Sequence, residues 1–124
     1  MREQVSTSQA PAPAGAYAQA VRAGDFVYIS GQVPRSVDGR YVAADIATET
    51  ALTLRNLAEL ATAAGGGLRD AVKITAYLSR PEHLGDFNSA YAEYFDDAPP
   101  ARTTVVAGLR EVKIELDAVL YIPR

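Results

Sequence analysis

The chain has 124 residues of which 48% are apolar, enough for one domain with its own core, residues 1–124, and too short for a second. With no cysteine, disulfides, thiolate nucleophiles and sulfur-ligated zinc are excluded; with a single histidine, His83, His-based triads are hard to build, and the acidic residues show no metal-ligand spacing, so no metal is expected. A net charge of −3 with scattered basic residues argues against a dedicated nucleic-acid binder.

In chain order, Met1 to Gln9 is polar and lacks the apolar run of a signal peptide or a spanning helix, so a cytoplasmic protein without membrane contact is expected. Residues 1–14, Pro-rich toward their end, read as an extended arm. Tyr17 to Val21 and Phe26 to Ser30 are short β-prone runs joined by a turn at Ala23-Gly24-Asp25, and Gly31 ends the second. After a turn at Asp38-Gly39, a helix is predicted from Asp45 as N-cap to Ala64, with Ala47, Ala51, Leu54, Ala58 and Ala61 on one face and Gly65-Gly66-Gly67 as its stop. Ala71 to Ser79 alternates Val72, Ile74, Ala76 and Leu78 with Lys73, Thr75 and Tyr77, which is strand periodicity. Pro81 opens a second helix with a stripe of Leu84, Phe87, Tyr91 and Phe95, broken at Asp96 to Pro100. Arg102 to Ala107 and Val112 to Ile122 then read as a terminal hairpin.

The order ββαβαββ predicts an α+β domain of two layers, both helices lying on one face of a mixed sheet. The other face, with Tyr17, Tyr28, Tyr77, Val119 and Tyr121 among polar neighbours, is too apolar to stay in water and too polar for a sealed core. A closed homo-oligomer would cover it.

A two-residue loop at Leu109-Arg110 would set Thr104 opposite Glu115 and Arg102 opposite Asp117, making Arg102 and Glu115 diagonal neighbours on one face. Such a pair can converge on one small ligand, the arginine fork gripping a carboxylate and the glutamate orienting or deprotonating water. From the pattern alone, an ordinary cross-strand ion pair is the plainer reading.

Pro-Ala-Arg-Thr-Thr-Val at 100–105, followed by Val-Lys-Ile-Glu-Leu-Asp-Ala at 112–118, resembles the signature of the RidA family. Gly15-Ala16-Tyr17-Ala18-Gln19, Ser30-Gly31-Gln32-Val33-Pro34, Asn56-Leu57, Val72-Lys73-Ile74-Thr75 and the run from Phe87 to Phe95 are similar to further family segments in order and spacing. The resemblance implies a chorismate-mutase-like homotrimer with a pocket at each subunit interface and no cofactor. It implies that Arg102 binds the substrate carboxylate, that Glu115 positions the attacking water and that Tyr17 lines the pocket from an adjacent chain. Gly31 would help seat the substrate, and Thr104, where many members carry cysteine, would offer its backbone amide. Ala16 in place of proline and a hairpin two residues shorter than the common pattern are departures. Tyr17 as a packing aromatic and Gly31 as a turn glycine are the plainer readings of those positions. The implied activity is hydrolysis of reactive 2-imino or 2-enamino acids to 2-oxo acids and ammonia, a metabolite damage-control reaction. The alternatives are a non-catalytic binder of small carboxylates, an enzyme for one pathway's imine, and, against the charge pattern, RNA cleavage.

Overall fold

A computed structural model of the protein describes residues 1–95 and 97–124. Six strands, β1 (Arg2–Val5), β2 (Ala20–Ala23), β3 (Phe26–Gln32), β4 (Ala71–Leu78), β5 (Ala101–Val106) and β6 (Ile114–Tyr121), form one mixed sheet in the order β1-β2-β3-β6-β4-β5. Two helices, α1 (Ile46–Ala63) and α2 (Leu84–Ala92), complete an α+β fold. Among the described residues no helix is long and apolar enough to cross a membrane.

The core lies between helices and sheet: Leu54, Leu57, Leu60 and Phe87 meet Val27, Ile74, Leu78, Ile114, Leu116 and Leu120, all fully buried. The opposite sheet face is open, with Phe26, Tyr28, Val105 and Tyr121 exposed and the Phe26 and Tyr121 rings 5.3 Å apart.

The turns predicted at Gly24 and at Asp38-Gly39 and the α1 boundaries agree with the structure. Gly24, at φ 63°, makes the two-residue turn that pairs Ala23 with Phe26. Asp45 caps α1 by accepting from the Thr48 amide at 2.8 Å.

Five expectations need correction. The N-terminal arm is not wholly free: Arg2–Val5 add a sixth strand antiparallel to β2, and the strand foreseen at Tyr17–Val21 forms instead at Ala20–Ala23. On α1, Ala47 is exposed and the inward face carries Ile46, Glu49, Thr50, Thr53, Leu54, Asn56, Leu57, Leu60 and Ala61. Alanines bury little area, so polar residues could take the inner stripe, where Glu49, Thr53 and the Asn56 amide nitrogen are hydrogen-bonded. Val72 faces outward because a bulge between Ala71 and Lys73 shifts the register against β6. Leu84 begins α2 beyond the core and is exposed, while α2 ends at Ala92, before the expected break, of which Asp96 lies outside the described residues.

The fifth correction matters most for function, because no terminal hairpin exists. β5 runs parallel to β4, as the β4–α2–β5 crossover requires, and β4 lies between β5 and β6. Residues 107–113 step over the end of β4, where the Ala107 amide donates to the Leu78 carbonyl at 2.9 Å and the Ser79 amide to the Lys113 carbonyl at 3.0 Å. Arg102 is therefore in register with Ile74 and Thr104 with Ala76, whereas Glu115 faces Tyr77 and Asp117 faces Thr75.

Candidate active site

Alternation along β6 buries Ile114 and Leu116 against the helices and turns Glu115 to the open face. There its carboxylate lies directly against Gly31 of β3, where a side-chain Cβ would come within 2.9 Å of the Glu115 carboxyl carbon. The absence of a side chain at Gly31 leaves room for this close approach, and the strand continues through it to Gln32. Glu115, Gly31, Ser30, Val33 and Tyr17 line an open cleft of about 340 Å³. Burial raises the pKa of Glu115 above the usual carboxylate range, and the negative charge of Asp117 raises it further. Asp117 in turn accepts from the Tyr77 hydroxyl at 2.9 Å rather than pairing with a base.

Tyr17 is half-exposed, and its hydroxyl accepts from the Ala14 amide at 3.1 Å. The loop that carries it is fixed by buried Gln19, which accepts from the Thr7 amide at 2.9 Å and donates to the carbonyls of Thr7, Ala10 and Pro11. Ser30 ties β3 to the same loop by donating to the Ala18 carbonyl at 2.6 Å.

Arg102 stands apart from this cleft. Its guanidinium carbon sits 4.8 Å from the Tyr91 ring centroid and 5.0 Å from that of Phe87, and it donates to Asn88 Oδ1 at 2.7 Å. These contacts place it on the helix-bearing side of the sheet, opposite Glu115. The diagonal Arg102–Glu115 pair is thus absent within one chain, as is the cross-strand ion pair offered as its alternative. Asn88, from α2, positions the guanidinium.

Thr104 shares the helix face, and its hydroxyl is buried with no hydrogen-bond partner among the described residues. Thr104→Val removes that hydroxyl at nearly constant shape, and it is expected to raise stability by about 1 kcal/mol. Thermal unfolding measures this; a lower melting temperature would mean that the hydroxyl has a partner.

Sequence reasoning missed a buried polar cluster on α1. Glu49, fully buried, accepts from the Tyr41 hydroxyl at 2.5 Å, the Ala44 amide at 3.2 Å, the Lys113 amide at 2.9 Å and Lys113 Nζ at 3.1 Å. Asn56 donates to the carbonyls of Val33 and Arg35, each at 3.0 Å. Their recurrence with Thr53 at steps of four and three was the available signal, masked by the alanines. Burial alone would raise the Glu49 pKa, but the hydrogen bonds from Tyr41, Lys113 and Ala44 outweigh it and hold the value below 4.5. The stabilisation from this ionised carboxylate is full above pH 4.5 and is lost as pH falls through the lower folded value. Wild type should therefore exceed Glu49→Gln by about 1–3 kcal/mol at neutral pH, and unfolding series in denaturant should show the gap closing in acid.

A larger cleft of about 570 Å³ lies between β1 and the C-terminus. Its charged groups are already engaged: Arg124 with Glu3 at 2.8 Å, and buried Arg22 with the carbonyls of Ile122 at 2.7 Å and Ala64 at 2.8 Å. Among the described residues, no three His, Cys, Asp or Glu side chains gather as a metal-holding group.

Residues 7–122 match the family described as Endoribonuclease L-PSP. A RutC family protein of Pyrococcus horikoshii is 40% identical over 124 residues, covering 98% of each chain. Among solved structures, RidA of an Antarctic Psychrobacter species aligns with a TM-score of 0.92 at 30% identity, covering 97% of this chain and 99% of the other. Escherichia coli TdcF with bound serine gives 0.90 at 29% identity, covering 96% and 98%. With its sequence matched almost end to end and its sheet and helices superposed on these structures, the chain belongs to the Endoribonuclease L-PSP family, within the Rid superfamily.

Proposed function

We propose that the protein hydrolyses 2-imino and 2-enamino acids of the 2-aminoacrylate type to 2-oxo acids and ammonia, at sites formed between the subunits of a homotrimer. One observation carries this reading. The cleft holds a perturbed carboxylate, Glu115, but no cation in its lining, while the arginine suited to bind a substrate carboxylate lies on the other side of the sheet. Arg102 of a second copy would complete the cleft, and packing of the copies would cover the exposed Phe26, Tyr28, Val105 and Tyr121. The serine held by TdcF, a small α-carboxylate compound, supports a ligand of this class.

In this reading Arg102 takes the carboxylate in two contacts, assisted by the Thr104 amide, while Tyr17 and Gly31 confine the rest of the substrate. An enamine first gains a proton at its β-carbon to become the imine. Glu115 accepts a proton from water as the oxygen bonds to the imine carbon and the nitrogen is protonated, giving a carbinolamine. Glu115 then returns its proton to the amino nitrogen, the C–N bond breaks as ammonia leaves with the electron pair, and the hydroxyl proton passes to solvent, forming the 2-oxo acid. The raised pKa of Glu115 suits it to receive and return that proton. No cofactor enters.

RNA cleavage, the activity in the family's description, would ask for different chemistry: the chain's one histidine, His83, is not in the cleft lining. The test is ammonia release from an imine freshly generated by an amino-acid oxidase, with and without protein. Acceleration is expected; binding of 2-oxo acids without acceleration would favour a sensing role.

A further inference from the structure

The groups around Glu115 leave open what holds it against Gly31, since β3 and β6 change register beside this point, between Ile29 and Gln32. The geometry points to Glu49: we infer that this buried carboxylate is a positioning residue that fixes the Glu115 carboxylate over Gly31, an assignment that rests on the catalytic reading of Glu115 given above.

Three observations carry it. Glu49 Oε1 accepts the amide of Lys113, two residues before Glu115 and immediately before β6 begins. The other face of that same peptide segment is held by the Ser79 amide on the Lys113 carbonyl, so the start of β6 is clamped between α1 and the end of β4. Two helical turns further along α1, Asn56 holds the carbonyls of Val33 and Arg35, just beyond Gly31 on β3. One rigid helix thus grips the two strand ends whose separation sets the Glu115–Gly31 approach.

The residue type matters as well. All four partners of Glu49 present hydrogens: two backbone amides, an ammonium and a phenol. Of these only the phenol can turn to accept. A glutamine would direct its NH2 at either the Lys113 amide or the Ala44 amide and Lys113 Nζ, whichever way it lay. A buried carboxylate is the acceptor-only group that satisfies both ends, and Lys113 offsets part of its desolvation. Tyr41 hydrogen-bonds to Glu49 and, among the described residues, to no group of β6, which separates general stability from positioning.

The experiment compares Glu49→Gln, and Glu49→Asp should the first fail to fold, with Tyr41→Phe as the control. Two quantities are read: the kcat and KM of ammonia release, and the titration of the Glu115 carboxyl by side-chain 13C NMR. The Glu49 variants are expected to lower kcat at least about tenfold with little change in KM, because the substrate carboxylate is held elsewhere. They should also move the Glu115 titration toward lower pH as the carboxyl slips into solvent. Tyr41→Phe should lower stability and move neither. Unchanged kcat and titration in the Glu49 variants, or equal changes in Tyr41→Phe, would overturn the assignment. A Glu115 titration that moves only in the Glu49 variants, in a protein whose wild type releases no ammonia, would uphold the positioning and overturn the deaminase reading.

Discussion

Arg102→Ala is expected to bring imine hydrolysis close to the uncatalysed rate in a protein that remains folded. Truncating a hydrogen-bonded charge at a binding site costs about 2–5 kcal/mol, a loss of about 30- to 5,000-fold in kcat/KM. The structural cost is smaller and has a different origin from an ion pair. It comprises stacking on Tyr91 and Phe87 and the bond to Asn88, about 1–2 kcal/mol in all. Arg102→Lys refines the result, since lysine keeps the charge but loses both the planar fork and most of the stacking. A two-contact clamp predicts a large loss for lysine as well; near-complete rescue would reduce Arg102 to a source of positive potential. Steady-state ammonia release beside thermal unfolding measures both quantities, and wild-type turnover in Arg102→Ala would remove the residue from catalysis.

Gly31→Ala is expected to reduce kcat by about 100-fold with the fold retained. The added methyl would overlap the Glu115 carboxylate and come within 3.2 Å of its Cγ, but what it meets is the flexible end of a side chain, which can swing away. The Glu115 carboxylate would then move by roughly an ångström, a displacement that on the proposed reading costs about two orders of magnitude in rate. Were Gly31 only a turn glycine, the substitution would lower stability and spare the rate. Circular dichroism melts and initial rates on the same preparation distinguish the outcomes.

Legibility in the sequence followed the range of the interactions. The α1 cap at Asp45, the turn at Gly24 and the alternation of Ile74, Ala76 and Leu78 are local, and each was readable from a few adjacent residues. Strand order is not local. β5 and β6 look like a hairpin because they are consecutive, and only the pairing of β4 with both shows that it separates them. That one insertion changes the site: Arg102 and Glu115 keep the residue types foreseen for them while their side chains part to opposite faces. Gly31 carried its meaning in a contact with a residue 84 positions away, which no local pattern encodes. Glu49 was hidden for a related reason, as a carboxylate on an inner helical stripe becomes sensible only once Lys113 and the 41–44 loop fold over it.

The central claim is that a working site takes Arg102 from one copy and Glu115 from another, and subunit mixing tests it most directly. Arg102→Ala and Glu115→Gln proteins should each be inactive alone. Denatured together in equal amounts and refolded, they should assemble mixed trimers in which about one site in four receives an intact Arg102 and an intact Glu115 from different chains, restoring roughly a quarter of wild-type ammonia release. Full inactivity of mixed assemblies whose composition is verified by native mass spectrometry would contradict the account and place both residues' work within a single chain.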